Sequence, residues 1–498
     1  MVCLATSTAL LGFCLLCIFL LSIFKSSSRQ KLNLPPGPRP LPLFGNLMQI
    51  NAKELLKSLV KLGDTYGPVF TVYLGPRPMV VLCGYEAVKE ALVDNKDVFV
   101  DRGHLPVHNH ILKGFGITMS NGERWKQMRR FSLMTLRNFG MGKRSIEERI
   151  QEEAQFLVEE LRKTQGLPFD PTFFISRAVS NIICSIVFGS RFDYEDKKFL
   201  TLLTHINELL RFMNSTIGLI FSSFTTIVKY LPGPHHAKLE HLQNLRNFVT
   251  ERVKTHKETL DPSSPRDYID CFLTKMIKEK ENTETEFHNE NLVVSTVNLF
   301  FAGTETVSTT LRYGIMILLR HPEIEEKIHQ EIDRVIGCNR CPSIEDRSKM
   351  PYTDAVIHEV QRFSDIIPTG LPHAATHDFQ FRGYTIPKGM DVYPFLTTVL
   401  RDDSQFENPE QFIPERFLDE NGCFKKRDAF MPFSAGKRNC LGEGLARMEL
   451  FLFITTILQN FNLKPLTCHE DVDLTPDCSS AGRLPRAYQL RIQPRLNR

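Results

Sequence analysis

The residues best suited to chemistry lie near the carboxyl end, in the run F-S-A-G-K-R-N-C-L-G-E-G from Phe433 to Gly444. An apolar stretch follows, Leu445 to Leu458, which reads as an amphipathic helix, so Cys440 sits where loop becomes helix. At such a point unpaired backbone N–H groups and the helix dipole favour an anion, and Lys437 and Arg438 add positive charge. The pattern predicts a thiolate, which so presented is a metal ligand or a nucleophile. Gly436, Gly442 and Gly444 let the backbone turn tightly and approach something flat and bulky. No sequence feature supplies a base beside Cys440, which sets a cysteine hydrolase aside. His358-Glu359 opens an H-E-x-x-H pattern, but Arg362 stands at the second histidine position, which sets a zinc hydrolase aside as well. The C-x-x-C pair Cys338 and Cys341 has no second pair at zinc-finger spacing and reads as a loop coincidence.

Such a loop needs a large scaffold, and the chain has one. Its 498 residues allow about three domains on length alone. Hydrophobic residues at 42% and charged residues at 24% are ordinary globular values, and a net charge of +4 provides no global field toward nucleic acid. The 12 cysteines are scattered, three of them (Cys3, Cys14, Cys17) in an apolar run, which points to a reducing environment. From Val2 to Phe24 there is no charge, enough length to cross a bilayer and too much for a usual signal peptide. Lys25, Arg29 and Lys31 follow, placing the remainder on the cytosolic side. The domain reading is a transmembrane anchor over 1–24, a polar and proline-rich linker over 25–50, and a catalytic domain over 51–498. Within the linker, Pro35 to Pro40 would be a stiff spacer holding the domain off the membrane.

Helical periodicity dominates the domain, most clearly over Ile146 to Arg162 and Glu240 to Leu260. Strand patterns are fewer: Val69 to Leu74 with Met79 to Cys83, and Phe379 to Ile386 broken by Arg382-Gly383 as a hairpin would be. The fold class is mainly α with a minor β region. From Asn291 to Arg320 the only charges are Glu305, Arg312 and Arg320, and His321-Pro322 ends the run. A helix of this length spans roughly 45 Å, a whole domain. Asn298, Gly303, Thr304, Glu305, Thr306 and Ser308 crowd its centre, where a carboxylate in lipid would be costly, so it reads as a buried core helix lining a site.

F-x-x-G-x-R-x-C-x-G, from Phe433 to Gly442, resembles the haem-binding loop of the cytochrome P-450 superfamily. The likeness extends to E-V-Q-R (Glu359 to Arg362), to P-E-R-F (Pro414 to Phe417) and to A-G-T-E-T (Ala302 to Thr306), in the family's order and spacing. The anchor, the P-P-G-P hinge and N-G-E-R-W resemble the microsomal family-2 branch. The resemblance implies the cytochrome P-450 fold behind one transmembrane helix, with haem b held by Cys440 as axial thiolate. It implies that Glu359, Arg362 and Arg416 form a buried ionic cluster fixing the loop, and that Ala302 and Gly303 leave room beside the iron. Glu305 and Thr306 would organise, with water, the two protons that O–O cleavage needs. W-x-x-x-R, Trp125 to Arg129, resembles the propionate-binding helix, and Arg102, His373 and Arg438 match further donors by position.

By the same resemblance, substrate contacts fall on Phe115, Ile117, Asn298, Phe301, Ala302, Ile367, Leu371 and Ala481. Most are apolar, and such a pocket binds by burial and takes lipophilic drugs or xenobiotics, steroids or fatty acids. No dinucleotide fingerprint occurs in the chain. Electrons from NADPH would therefore arrive through a flavoprotein, an NADPH-cytochrome reductase, with cytochrome b5 as a second possible donor. The docking face corresponds to Lys126, Arg130, Arg137, Lys143 and Lys437, and its partner would be acidic. The location implied is the endoplasmic reticulum membrane, single-pass, catalytic domain cytosolic. The rival readings are a peroxide-using haem-thiolate isomerase and a non-catalytic haem- or steroid-binding membrane protein.

Overall fold

The computed structural model describes residues 33–138, 144–478 and 482–495. The helices that position the site are α1 (Gly122–Asn138), α2 (Arg144–Arg162), α3 (Thr172–Val187), α4 (His235–Glu258), α5 (Asn289–Arg320), α6 (Pro322–Val335), α7 (Pro351–Ser364) and α8 (Glu443–Asn460). The first periodic segment falls inside α2, the second lies in α4 but for its last two residues, and the long low-charge segment is α5, a core helix as expected. Helix α5 is buried along most of its length because the others wrap it. Helix α3 lies closest: Ser180 Oγ donates to Thr304 Oγ1 at 3.0 Å, and a Cβ on Gly303 would stand 2.5 Å from Ile183 Cδ1. Gly303 is therefore small so that two helices can touch, not, as the family likeness implied, to leave room beside a metal. The amphipathic reading of the stretch after Cys440 also fails. Every residue from Met448 to Leu458 is buried, Glu449, Thr455 and Thr456 included, because α8 runs through the interior rather than over it.

The strands up to residue 395 are β1 (Val69–Leu74), β2 (Arg77–Cys83), β3 (Asp101–Arg102), β4 (His373–Ala374), β5 (Phe379–Phe381), β6 (Tyr384–Ile386) and β7 (Asp391–Phe395). Strands β5 and β6 form the expected hairpin, with left-handed backbone at Arg382 and Gly383. The main sheet has the order β1-β2-β7-β4-β3, and only β2 and β7 run parallel. At its far edge the two-residue strand β3 pairs Arg102 opposite His373, joining residues far apart in sequence. At its near edge the proline segment is not a free spacer. The N–H of Thr71 donates to Pro36 O at 2.8 Å, its hydroxyl donates to Pro35 O at 2.9 Å, and Gly37 lies so close to Thr71 O that a Cβ would collide. The described part of the linker is thus seated on β1. The anchor, residues 1–24, lies outside the described residues, among which no helix is long and apolar enough to cross a membrane.

Candidate functional site

The loop carrying Cys440 is shaped by three contacts. The N–H of Cys440 donates to Phe433 O at 2.9 Å, closing the loop on itself, and the guanidinium of Arg447 stands 5.2 Å above the Phe433 ring. Gly436 (φ +72°) approaches Leu92 O so closely that a Cβ would fall 1.8 Å from it, so no other residue fits. Around Gly442 and Gly444, by contrast, no protein atom lies within 4 Å of an added Cβ. The protein itself does not require glycine at those two positions, and a flat group against the loop would.

The charges around Cys440 are not those its neighbours in sequence suggested. Lys437 is ion-paired with Asp97, and Arg438 turns away, its guanidinium 3.9 Å from the Trp125 ring. Desolvation by the surrounding protein pushes the Cys440 thiol up although the residue keeps solvent exposure; backbone N–H groups of Gly442 and Glu443 and the charge of Arg129 draw it partly back. Local electrostatics alone therefore does not make a thiolate, and a metal that replaces the proton completes the task.

Beside the loop three arginines and a histidine converge. Arg438 donates from Nε to Val100 O (2.7 Å) and from Nη2 to Ser120 O (2.7 Å) and Asn121 Oδ1 (2.9 Å), while its buried Nη1 has no partner. Arg102 donates to His373 Nε2 (3.0 Å), to Arg438 O (3.3 Å) and, more weakly, to Leu371 O (3.5 Å). His373 in turn donates from Nδ1 to Phe99 O at 2.6 Å, and burial with the neighbouring Arg102 charge keeps it neutral. Arg129, one turn after the buried Trp125 on α1, donates to Asn439 O (2.9 Å) and Oδ1 (2.7 Å). Arg102, Arg129 and Arg438 have their pKa values lowered, first by burial, and none forms an ion pair among the described residues; Asp101 offsets only part of the effect at Arg438. Guanidinium stays protonated, so the protein gathers positive charge there without neutralising it. That is a seat for an anion, and the two propionates of haem fit the donor set.

The second arginine cluster is neutralised. Arg362 grips Glu359 with Nε and Nη2 at 2.7 and 2.8 Å, and Arg416 Nε reaches Glu359 Oε1 at 3.1 Å. The remaining guanidinium nitrogens donate to the carbonyls of Leu400, Glu407, Asn408 and Gln411, and the N–H of Ile413 completes the carboxylate. Helix α7 is thereby tied to the turn Pro414–Phe417 that leads to the cysteine loop.

The family profile of cytochrome P-450 matches residues 35–492. The chain belongs to the cytochrome P-450 family. It is 54% identical to cytochrome P-450 2G1 of Oryctolagus cuniculus over 97% of its own length and 98% of the relative's. It is 55% identical to cytochrome P-450 2F3 of Capra hircus, over 99% of both chains. It is also 55% identical to cytochrome P-450 2A13 of Homo sapiens, over 97% of both. Cytochrome P-450 proteins are oxidoreductases that bind haem b through a cysteine thiolate and receive electrons from NADPH by way of a reductase. The unpaired arginines, the open face at Gly442 and the exposed Cys440 fit that cofactor.

On α5, Ala302 is exposed although most of the helix is buried, and Thr306 donates its hydroxyl to Ala302 O at 2.8 Å, leaving its oxygen free to accept. Glu305 is buried, and burial raises its carboxyl to about 7, with Arg312 pulling weakly the other way. Of the expected substrate residues, Ile117 and Asn298 meet through the backbone: Asn298 Oδ1 accepts from the N–H of Ile117 (3.0 Å) and of Thr118 (3.2 Å). That oxygen therefore clamps the loop onto α5. Phe115 packs against Arg124 and His288, and Ile367 and Leu371 lie half-buried after α7. Ala481 and Lys143 lie outside the described residues. Arg130 and Arg137 are exposed and carry no ion pair among the described residues, whereas Lys126 pairs with Glu123 at 2.6 Å.

Three residues escaped the sequence reading. Asn121 bridges Arg102 and Arg438, accepting from the Arg102 N–H at 2.6 Å; Asn439 holds Arg129; and His108, on the short helix Pro106–Leu112, sets its ring edge-on to Phe301 at 6.4 Å. His108 is neutral, burial lowering it to about 4, and its Nδ1 is buried without a partner. Asn439, beside Cys440, and Asn121, which opens N-G-E-R-W, stood in motifs legible in the sequence; His108 needed the fold.

Proposed function

We propose that this chain is a membrane-anchored haem-thiolate monooxygenase that hydroxylates or epoxidises lipophilic small molecules, drawing electrons from NADPH through a flavoprotein reductase. Bound haem would supply the iron at which dioxygen is activated. The observation that carries the reading is the pair of features set side by side: a cysteine at the mouth of α8, and buried arginines with no ion pair among the described residues to neutralise them. In this reading Cys440 would ligate the haem iron, Arg102, Trp125, Arg129, His373 and Arg438 would seat the propionates, and Phe433 and Gly442 shape the loop. Glu305, protonated below about pH 7, holds a proton within the buried helix, and the Thr306 oxygen accepts one; an acid and hydroxyl so placed support oxygen insertion. An acid–hydroxyl pair of this kind has no task in a peroxide-using isomerase.

The substrate pocket would be lined by Ile117, Phe301, Ala302, Ile367 and Leu371, largely apolar, with His108 as an uncharged polar contact. Lipophilic drugs, steroids or fatty acids suit such a surface. The reductase would dock on the basic face that includes Arg130 and Arg137, with Lys126 and Lys437 already engaged by Glu123 and Asp97. The location that follows is the cytosolic side of the endoplasmic reticulum membrane, the charge-free stretch from Val2 to Phe24 serving as anchor. The test is reconstitution with NADPH and a purified reductase, screened by mass spectrometry against a lipophilic panel. Products heavier by one oxygen atom are expected. Rearranged products of unchanged mass formed from peroxides without NADPH would replace this reading with the isomerase.

A further inference from the structure

The C-x-x-C pair that the haem chemistry leaves unused lies after α6, where a strap leads toward α7. The chain bends sharply at 338, 339 and 340, curling round the side chain of Arg340. That guanidinium closes the curl: it donates to Val335 O (2.9 Å) and Cys341 O (3.2 Å) and grips Asp346 at 2.6 and 2.7 Å. Helix α2 meets the strap with three side chains spaced four apart on one face. Glu147 accepts from the Ile344 N–H (2.8 Å), Gln151 donates to Pro342 O (2.7 Å), and Gln155 donates to Cys341 Sγ (3.5 Å). From the end of α8, Gln459 donates to the carbonyls of Gly337 (2.7 Å) and Arg340 (2.8 Å). Both cysteines are free and exposed on this fixed curl, the Gln155 N–H holding Cys341 Sγ and the Cys338 thiol resting against Asn339 Oδ1 (3.5 Å). The bend at 338–340 turns the chain between the two cysteines, as a disulfide with its usual Cα separation of about 4.4–6.8 Å would require.

We propose that Cys338 and Cys341 form a reversible dithiol–disulfide site that reacts with small hydroperoxides. The Cys341 thiolate attacks the terminal oxygen of the hydroperoxide; the O–O bond breaks and the remaining oxygen leaves, protonated, as an alcohol, or as water when the oxidant is hydrogen peroxide. The resulting sulfenic acid on Cys341 is attacked by the sulfur of Cys338, and hydroxide departs with the Cys338 proton as water. Two thiols lose two electrons and two protons, and the hydroperoxide is reduced by two electrons. In reducing surroundings the pair rests as the dithiol.

The exposed single cysteines Cys423 and Cys468 serve as internal controls. The haem-loaded protein is treated with sub-stoichiometric hydrogen peroxide, quenched with an alkylating agent and digested. The peptide holding Cys338 and Cys341 is expected to lose two hydrogens, reversibly with dithiothreitol, at least ~10-fold faster than Cys423 or Cys468 is oxidised, since a second thiol traps the sulfenic acid. Cys338→Ser should convert that product to a sulfenic acid on Cys341, trapped by dimedone, and Gln155→Leu should slow its formation. Monooxygenase turnover of Cys338→Ser should match the parent. Equal oxidation at all four cysteines, or an unchanged product in Cys338→Ser, overturns the proposal.

Discussion

The two buried arginine clusters of this molecule are made from the same residue type and behave in opposite ways. Around Glu359, the guanidinium groups of Arg362 and Arg416 meet a carboxylate and four backbone carbonyls, and the cluster is complete within the chain. Beside Cys440, Arg102, Arg129 and Arg438 find carbonyls and asparagines but no ion pair among the described residues, and one nitrogen of Arg438 finds nothing. A buried charge persists only with partners. The first cluster is therefore architecture, and the second is a receptor for charge brought from outside. Helix α5 carries a third case: Glu305, a buried carboxyl with no ion pair among the described residues, keeps its proton up to about pH 7 instead of finding a counter-charge.

The contrast can be tested from its strongest consequence downward. Cys440→Ala should abolish turnover and the red-shifted carbon monoxide band of the reduced protein while far-ultraviolet circular dichroism is retained; turnover that survived would remove the receptor's purpose. Glu359→Gln leaves two arginines buried against a neutral partner and should cost about 3–5 kcal/mol of stability in urea unfolding. A cost below about 1 kcal/mol would mean the completed cluster is not architecture.

Glu305→Gln examines the third case through pH. Burial holds the native carboxyl up at about 7, well above the ordinary glutamate range of about 4.3–4.5. Its neutral form thus contributes stability that is fully present below about pH 4.5 and is lost as pH rises through 7. The stability difference between parent and Glu305→Gln should fall across that window by at most about 3 kcal/mol. A step near pH 7 in kcat should vanish with it, and a flat difference would show that the carboxyl is solvated. Arg438→Leu removes a cation that has no ion pair among the described residues and only a partial offset from Asp101. It should speed haem transfer to a scavenger protein at least ~10-fold, as expected from losing about 1.5–3 kcal/mol of charged hydrogen bonding, with less damage to stability than Glu359→Gln. Equal damage would erase the distinction. Least of all, Arg130→Ala with Arg137→Ala should raise the KM for reductase roughly threefold at low salt and leave it unchanged at high salt.

Much of this architecture was legible because it is local. Periodicity located α2 and α4, a long run with few charges located α5, and strand patterns with a turn located β1, β2 and the β5–β6 hairpin. The reading went astray where burial is decided by neighbours. The stretch after Cys440 looked amphipathic and is buried all round; Gly303 looked like space for a ligand and is space for Ile183; Pro35 to Pro40 looked like a spacer and is seated on β1. Lys437 and Arg438 looked like the charges that ionise Cys440, and they point to Asp97 and Trp125 instead.

The sequence by itself determined the residue types and their order: a cysteine after a glycine-flanked basic loop, an acid–hydroxyl pair within a long uncharged run, and a glutamate three residues before an arginine. These follow from covalent spacing, which no fold can alter. Only the tertiary structure decided which charges are neutralised. Arg102 and Arg438 become one site because a two-residue strand sets Arg102 opposite His373 and Asn121 bridges the two arginines. Whether a buried arginine is paired depends on what lies within a few ångströms of it in space, and that is a property of packing.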